Sequence, residues 1–93
     1  MDRFNELRVF VAVADHGGLA RAASAIRSSP PAVTRTIAAL EERLGVRLFE
    51  RTTRSLRLTE PGITFLEDAR RVLGDLEAAE QNMAGQAKIL SGH

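Results

Sequence analysis

Arginine is the residue whose placement in this chain points most directly to chemistry. Residues 21–58 carry eight arginines, at positions 21, 27, 35, 43, 47, 51, 54 and 57, against Glu41, Glu42 and Glu50. The first twenty residues are close to neutral and residues 59–93 are net acidic, so the formal charge of +1 conceals a basic middle. A guanidinium presents its donors in a planar fork that fits a phosphate or the outer edge of guanine bidentately. Such a cluster recognises anions and makes or breaks no bonds. The groups that would do catalysis are missing or scattered: there is no cysteine, and His16 and His93 stand alone. Glu41 and Glu42 are adjacent, and neighbouring residues on a helix do not face each other, so they read as solvated charge among salt-bridge partners such as Arg43. No glycine-rich phosphate loop is present. An enzyme is therefore not expected, nor a cofactor or a metal site.

The elements that must position these arginines begin with SPPAVTRTIAALEERL, residues 29–44. Ser29 is suited to cap a helix because its side-chain oxygen can accept an orphan amide, and Pro30 suits the first helical position. Val33, Ile37, Leu40 and Leu44 then fall on one stripe that must be buried. Pro31, Arg35 and Ala38 lie roughly opposite, with Thr34 on the flank, and make an outer face able to enter a groove. Gly45 should end the helix in the left-handed conformation, with Arg43 complementing the dipole in the last turn. Leu19–Ile26 reads as a shorter helix, and only Arg27 and Ser28 separate it from the Ser29 cap. Two helices joined so tightly cross sharply, which is the helix-turn-helix arrangement whose second helix reads the major groove.

The flanks support that unit. Phe4, Leu7, Phe10, Val11 and Ala14 predict a first helix of about twelve residues, ending at Gly17-Gly18, with His16 at the last carbonyls. After Gly45, Val46, Leu48, Leu56 and Leu58 alternate with polar residues and predict a small hairpin with Arg51, Thr52, Thr53, Arg54 and Ser55 near its tip. Isolated hairpins are marginal, so this wing should pack on the helices through Leu48, Phe49, Leu56 and Leu58. Thr59 caps a last helix, with Glu60 in its first turn, that would span about 42 Å by Ala87. Leu66, Ala69, Leu73, Leu76 and Met83, continued by Ala87 and Leu90, form a seam assigned to dimerisation. Ile63, Phe65 and Val72 form a second flank for docking on the body. Ninety-three residues make one small domain, which buries only about 60 to 70% of its unfolded surface, so an added interface would help. No apolar run reaches the length of a membrane span, and MDRFNELRV lacks the features of a secretory signal, so a cytoplasmic location is expected.

The ordered set FVAVADHGG, ARAASAI, Ile37-x-x-Leu40-Glu41, Leu44-Gly45, Leu48-Phe49-x-Arg51 and Leu58-Thr59-x-x-Gly62 resembles the N-terminal DNA-binding domain of LysR-type transcriptional regulators, from Met1 to about Gln86. The resemblance implies a mainly α fold, a winged helix-turn-helix over residues 1–59, with a long linker and dimerisation helix over 60–93. It implies a homodimer, with a tetramer open to the full-length protein, that places one reading helix per subunit on an interrupted inverted repeat in double-stranded DNA. Ser29, Pro30, Pro31, Thr34 and Arg35 would face bases and phosphates, with Arg51, Thr53 and Arg54 on the wing. Family members continue into a two-lobed effector-binding domain that these residues do not include, so an isolated domain or a fragment is expected. Two other readings compete with a sequence-specific regulator: a non-specific, architectural DNA-binding protein, and a helical protein-interaction module.

Overall fold

In the computed structural model, which describes residues 2–52 and 55–90, the chain runs α1 (Arg3–His16), α2 (Leu19–Ala25), α3 (Pro30–Leu44), β1 (Phe49–Arg51), β2 (Leu56–Leu58) and α4 (Glu60–Leu90). Each long helix begins on a side-chain cap. The Asp2 carboxylate accepts the Asn5 amide at 3.1 Å, the Ser29 hydroxyl accepts that of Ala32 at 3.2 Å, and the Thr59 hydroxyl accepts that of Gly62 at 3.0 Å. Gly17 and Gly45 close α1 and α3 at φ values of 69° and 75°, a conformation that a Cβ disfavours. The turn between α2 and α3 passes through Arg27 at φ 57°, and the Ser28 amide donates back to the Ala23 carbonyl at 2.8 Å. The short helix is one residue shorter than the sequence spacing predicts, since Ile26 already leaves helical geometry as its C-cap.

The core is the sum of one face from each helix. Val9, Phe10 and Val13 of α1, Ala22 and Ala23 of α2, Val33, Ile37 and Leu40 of α3, Leu48 and Phe49 of the wing, and Ala69 of α4 are all buried. Two alanines on α2 let it approach its neighbours closely, which longer side chains would prevent. The Phe10 ring is fully enclosed, and its centroid lies 5.3 Å from both Phe49 and Phe65, so one side chain joins α1, the wing and α4. Leu44 departs from the expected stripe and is 36% exposed, because it sits in the last turn of α3 beyond the enclosed core.

The wing is shorter than the alternation pattern suggests. Phe49 pairs with Leu58, Glu50 with Arg57 and Arg51 with Leu56, in antiparallel register. Val46 lies ahead of the paired residues and is exposed, so the apparent period of two begins three residues too early. Leu48 and Phe49 are consecutive and both buried, because the chain enters the sheet only at Phe49. The wing base is pinned to α4: the Thr59 amide donates to the Leu48 carbonyl at 3.0 Å, and the Thr59 hydroxyl donates to the Arg47 carbonyl at 2.6 Å. A Cβ on Gly62 would stand 2.1 Å from that same Leu48 carbonyl oxygen, so glycine is required there.

On α4 the assignment of faces from spacing needs correction on both flanks. Ala69 is buried in the chain's own core and Leu66 is half-buried against it, so both pack inward. Phe65 packs inward as expected, whereas Ile63 and Val72 of the supposed docking flank are exposed. Helical spacing identifies stripes but does not say which stripe meets the body; the Phe10–Phe65 contact settles that. Leu73 and Leu76 are half-buried in a shallow cleft beside Arg8, and Met83 is exposed. Arg70 reaches Asp15 at the end of α1 at 2.5 Å.

Gly62→Ala should lower stability by about 1 to 3 kcal/mol, because backbone carbonyl and helix must separate to admit the methyl group. Gly74→Ala, where a Cβ meets nothing within 4 Å, should be neutral or stabilising by up to about 1 kcal/mol. Chemical denaturation of the two variants beside the wild type measures both.

Candidate nucleic-acid interface

Burial of Val33, Ile37 and Leu40 leaves the opposite side of α3 as a free surface. Ser29, Pro30, Pro31, Arg35 and Ala38 are exposed along it, and Thr34 is half-buried on its flank. These are the residues proposed from sequence, and the structure places all of them on one end and one face of a single helix. Its first turn has an unusual property. Pro30 and Pro31 carry no N–H, the Ala32 amide is taken by the Ser29 hydroxyl, and the Val33 amide by the Ser29 carbonyl at 3.0 Å. No amide of residues 30–33 is left to hold an anion, so recognition here falls to side chains. Arg35 supplies the charge, Thr34 a hydroxyl, and the two proline rings an apolar surface of the kind that packs on a thymine methyl. Arg35 shares a shallow groove with Asp2 and Asn5 from the start of α1.

The arginines divide into two groups. Arg43 forms an ion pair with Glu6 of α1, whose carboxylate is buried, and Arg47 lies 3.9 Å from the carboxylate of Glu41. Arg43 is structural, reaching α1 from the last turn of α3 rather than the adjacent glutamates, whereas the Arg47 side chain is 73% exposed. Arg21, Arg27, Arg35, Arg51 and Arg57 are exposed and make no ion pair among the described residues. Arg51 ends β1 on the wing, and Thr52 closes its turn, with its amide donating to the Ser55 carbonyl at 2.9 Å. Thr53 and Arg54, together with the side chain of Leu90, lie outside the described residues.

Glu41 is the residue that sequence reasoning misjudged. Its side chain is only 15% exposed, and one of its oxygens accepts the amides of Leu48 at 2.6 Å and Phe49 at 3.2 Å. A signal was present: an acid in the last turn of a helix opposes the dipole, so its presence asks for another partner. Glu6 was missed as well, since nothing in its spacing distinguishes a buried acid from an exposed one.

Comparison with known proteins follows the same outline. Residues 4–63 match the family model described as bacterial regulatory helix-turn-helix protein, lysR family. The HTH-type transcriptional regulator ClcR of Pseudomonas putida is 56% identical over 70 residues, which is 75% of this chain and 24% of ClcR. The chain thus spans about a quarter of the length of the curated relatives it matches. Among solved structures, the DNA-binding domain of CbnR in complex with DNA superposes with a TM-score of 0.86 at 42% identity, covering 94% of this chain and 99% of that one. The DNA-binding domain of BenM with catB site 1 DNA gives 0.84 at 33% identity, covering 99% of each.

The division of the arginines has a direct test in stability. Arg43→Ala should cost about 1 to 2 kcal/mol, because the buried Glu6 loses its charged donor while Arg43 itself is partly solvated. Arg35→Ala should stay within about 0.5 kcal/mol of wild type, as for a surface side chain without partners. Urea denaturation of both variants measures the difference.

Proposed function

The chain belongs to the LysR family of bacterial regulatory helix-turn-helix proteins, and on that premise we propose that it binds double-stranded DNA sequence-specifically as a homodimer and so regulates transcription. The observation that carries this reading is the partition of α3: its inner stripe is enclosed, while Pro31, Arg35 and Ala38 stand exposed, with Arg35 unpaired among the described residues. A helix so divided can enter the major groove without unmaking the fold.

Within that reading, Arg35 contacts a guanine edge or a phosphate, and Thr34 a phosphate or a thymine methyl. Ser29, Pro30 and Pro31 lie against the bases and phosphates at the entry of the helix. The wing, through Arg51, Thr53 and Arg54, follows the phosphates beside the groove, where contacts add affinity and salt dependence without sequence preference. Dimerisation is assigned to α4, which extends well beyond the core. Its contact surface is Leu73, Leu76 and Met83 joined by Ile63 and Val72, the exposed and half-exposed apolar residues left once Leu66 and Ala69 face inward. Among the described residues no helix is long and apolar enough to cross a membrane, and a regulator of transcription acts where the chromosome is, in the cytoplasm.

Selection from a random duplex pool at two salt concentrations tests the function. Enrichment of an interrupted inverted repeat, with half-site centres about one helical turn or a multiple of it apart, is expected. Salt-dependent binding without an enriched motif would mean an architectural protein, and no binding at low salt would mean an interaction module. Arg35→Ala should cost about 1 to 3 kcal/mol and relax preference at about one base pair per half-site, read by titration with base-substituted duplexes. Leu76→Glu should shift sedimentation to the monomer; an unchanged mass would remove α4 as the interface.

A further inference from the structure

Glu41 is an anion in the basic, groove-facing third of the chain, at the end of a helix whose dipole disfavours it. Electrostatics alone would count it a defect for binding DNA. Its contacts give it another purpose. The carboxylate accepts the amides of Leu48 and Phe49, the residues at which the wing begins, and Arg47 flanks the same oxygen. Between α3 and these amides lie only Gly45, Val46 and Arg47, all exposed, with Gly45 in the left-handed conformation. That segment buries no side chain of its own, so the Glu41 carboxylate supplies the polar tether between α3 and the base of the wing. The other side of the same peptide is held by α4, since the Leu48 carbonyl accepts the Thr59 amide and abuts Gly62. Leu48 is thus gripped through its N–H by the reading helix and through its C=O by the long helix.

Resting on the DNA-binding reading above, we infer that Glu41 is a positioning residue for DNA recognition: it touches no nucleotide, and its paired amide contacts set the angle at which Arg51 and the rest of the wing meet the phosphates beside the groove that α3 occupies. Glu42 provides the internal control. It is adjacent and equally charged but, unlike Glu41, exposed, and it makes no hydrogen bond or ion pair among the described residues.

Two substitutions at Glu41 separate charge from position. Glu41→Gln and Glu41→Ala remove the same negative charge, but only glutamine keeps an oxygen that can accept the two amides. Loss of an anion should strengthen DNA binding, so a weaker alanine variant has to lose it through geometry. Affinity for a selected duplex and for base-substituted duplexes is measured across a salt series. Glu41→Ala is expected to weaken all duplexes severalfold, to keep the wild-type ratio between them, and to reduce the slope of log K against log salt by about one for each phosphate that the wing ceases to neutralise. Glu41→Gln and Glu42→Ala should keep the wild-type slope. Adding Arg51→Ala to Glu41→Ala should cost less than it does in the wild type, because Arg51 no longer reaches its phosphate. Should Glu41→Ala fail to fold, Glu41→Asp carries the test: it keeps the charge but withdraws the oxygens from the amides, and must show the same loss of slope. An unchanged slope in the alanine or aspartate variant, or identical behaviour of alanine and glutamine, overturns the positioning role. A wild-type protein that binds no duplex at low salt overturns the DNA-binding reading instead.

Discussion

A helix can bury only one of its faces, and the way α3 divides between core and solvent is the constraint from which the rest of this molecule follows. Val33, Ile37 and Leu40 are at most 1% exposed, and their burial holds the helix in place without help from its outer side. Arg35 and Ala38 on that outer side are then released from structural duty. The double proline extends the separation to the backbone: it starts the helix at the positions where proline is favoured, yet leaves the first turn with no spare amide. What this face can recognise is therefore written in its side chains alone, above all Arg35.

The supporting elements meet at two places. One is apolar, the Phe10 ring between Phe49 and Phe65, which makes α1 the common floor for wing and long helix. The other is polar, at Leu48, whose backbone is held by Glu41 on one side and by Thr59 on the other. The close approach of Gly62 belongs to the second junction and explains why a helix-disfavouring residue stands in the first turn of α4. Through these junctions α3, the wing and the long helix α4 are one connected frame.

Much of this was readable from residue types. Ser29, Gly45, Gly17 and Thr59 announce their helix boundaries because capping is local chemistry, settled within four residues. The inner stripe of α3 is likewise local, apart from Leu44 in its exposed last turn. The errors share a cause: each depends on contacts distant in sequence. Leu66 and Ala69 belong to a stripe that periodicity finds but cannot aim, and a ring on α1, Phe10 against Phe65, aims it. Glu41 reads as solvated until the wing folds back onto it, and Glu6 until Arg43 arrives from thirty-seven residues away. The wing alternation fails at Val46 because pairing, which starts at Phe49, decides where a strand begins.

The claim that recognition belongs to the outer face of α3 is tested most directly by following backbone amides as a selected duplex is added to the isotopically labelled protein. The largest chemical-shift changes are expected from Ala32 to Ala38, with a second group at Arg51 and Thr52 on the wing, while the exposed stretch of α4 from Glu77 to Lys88 stays unmoved. Changes centred on α4, or spread evenly over the surface with Ala32–Ala38 unaffected, would contradict it.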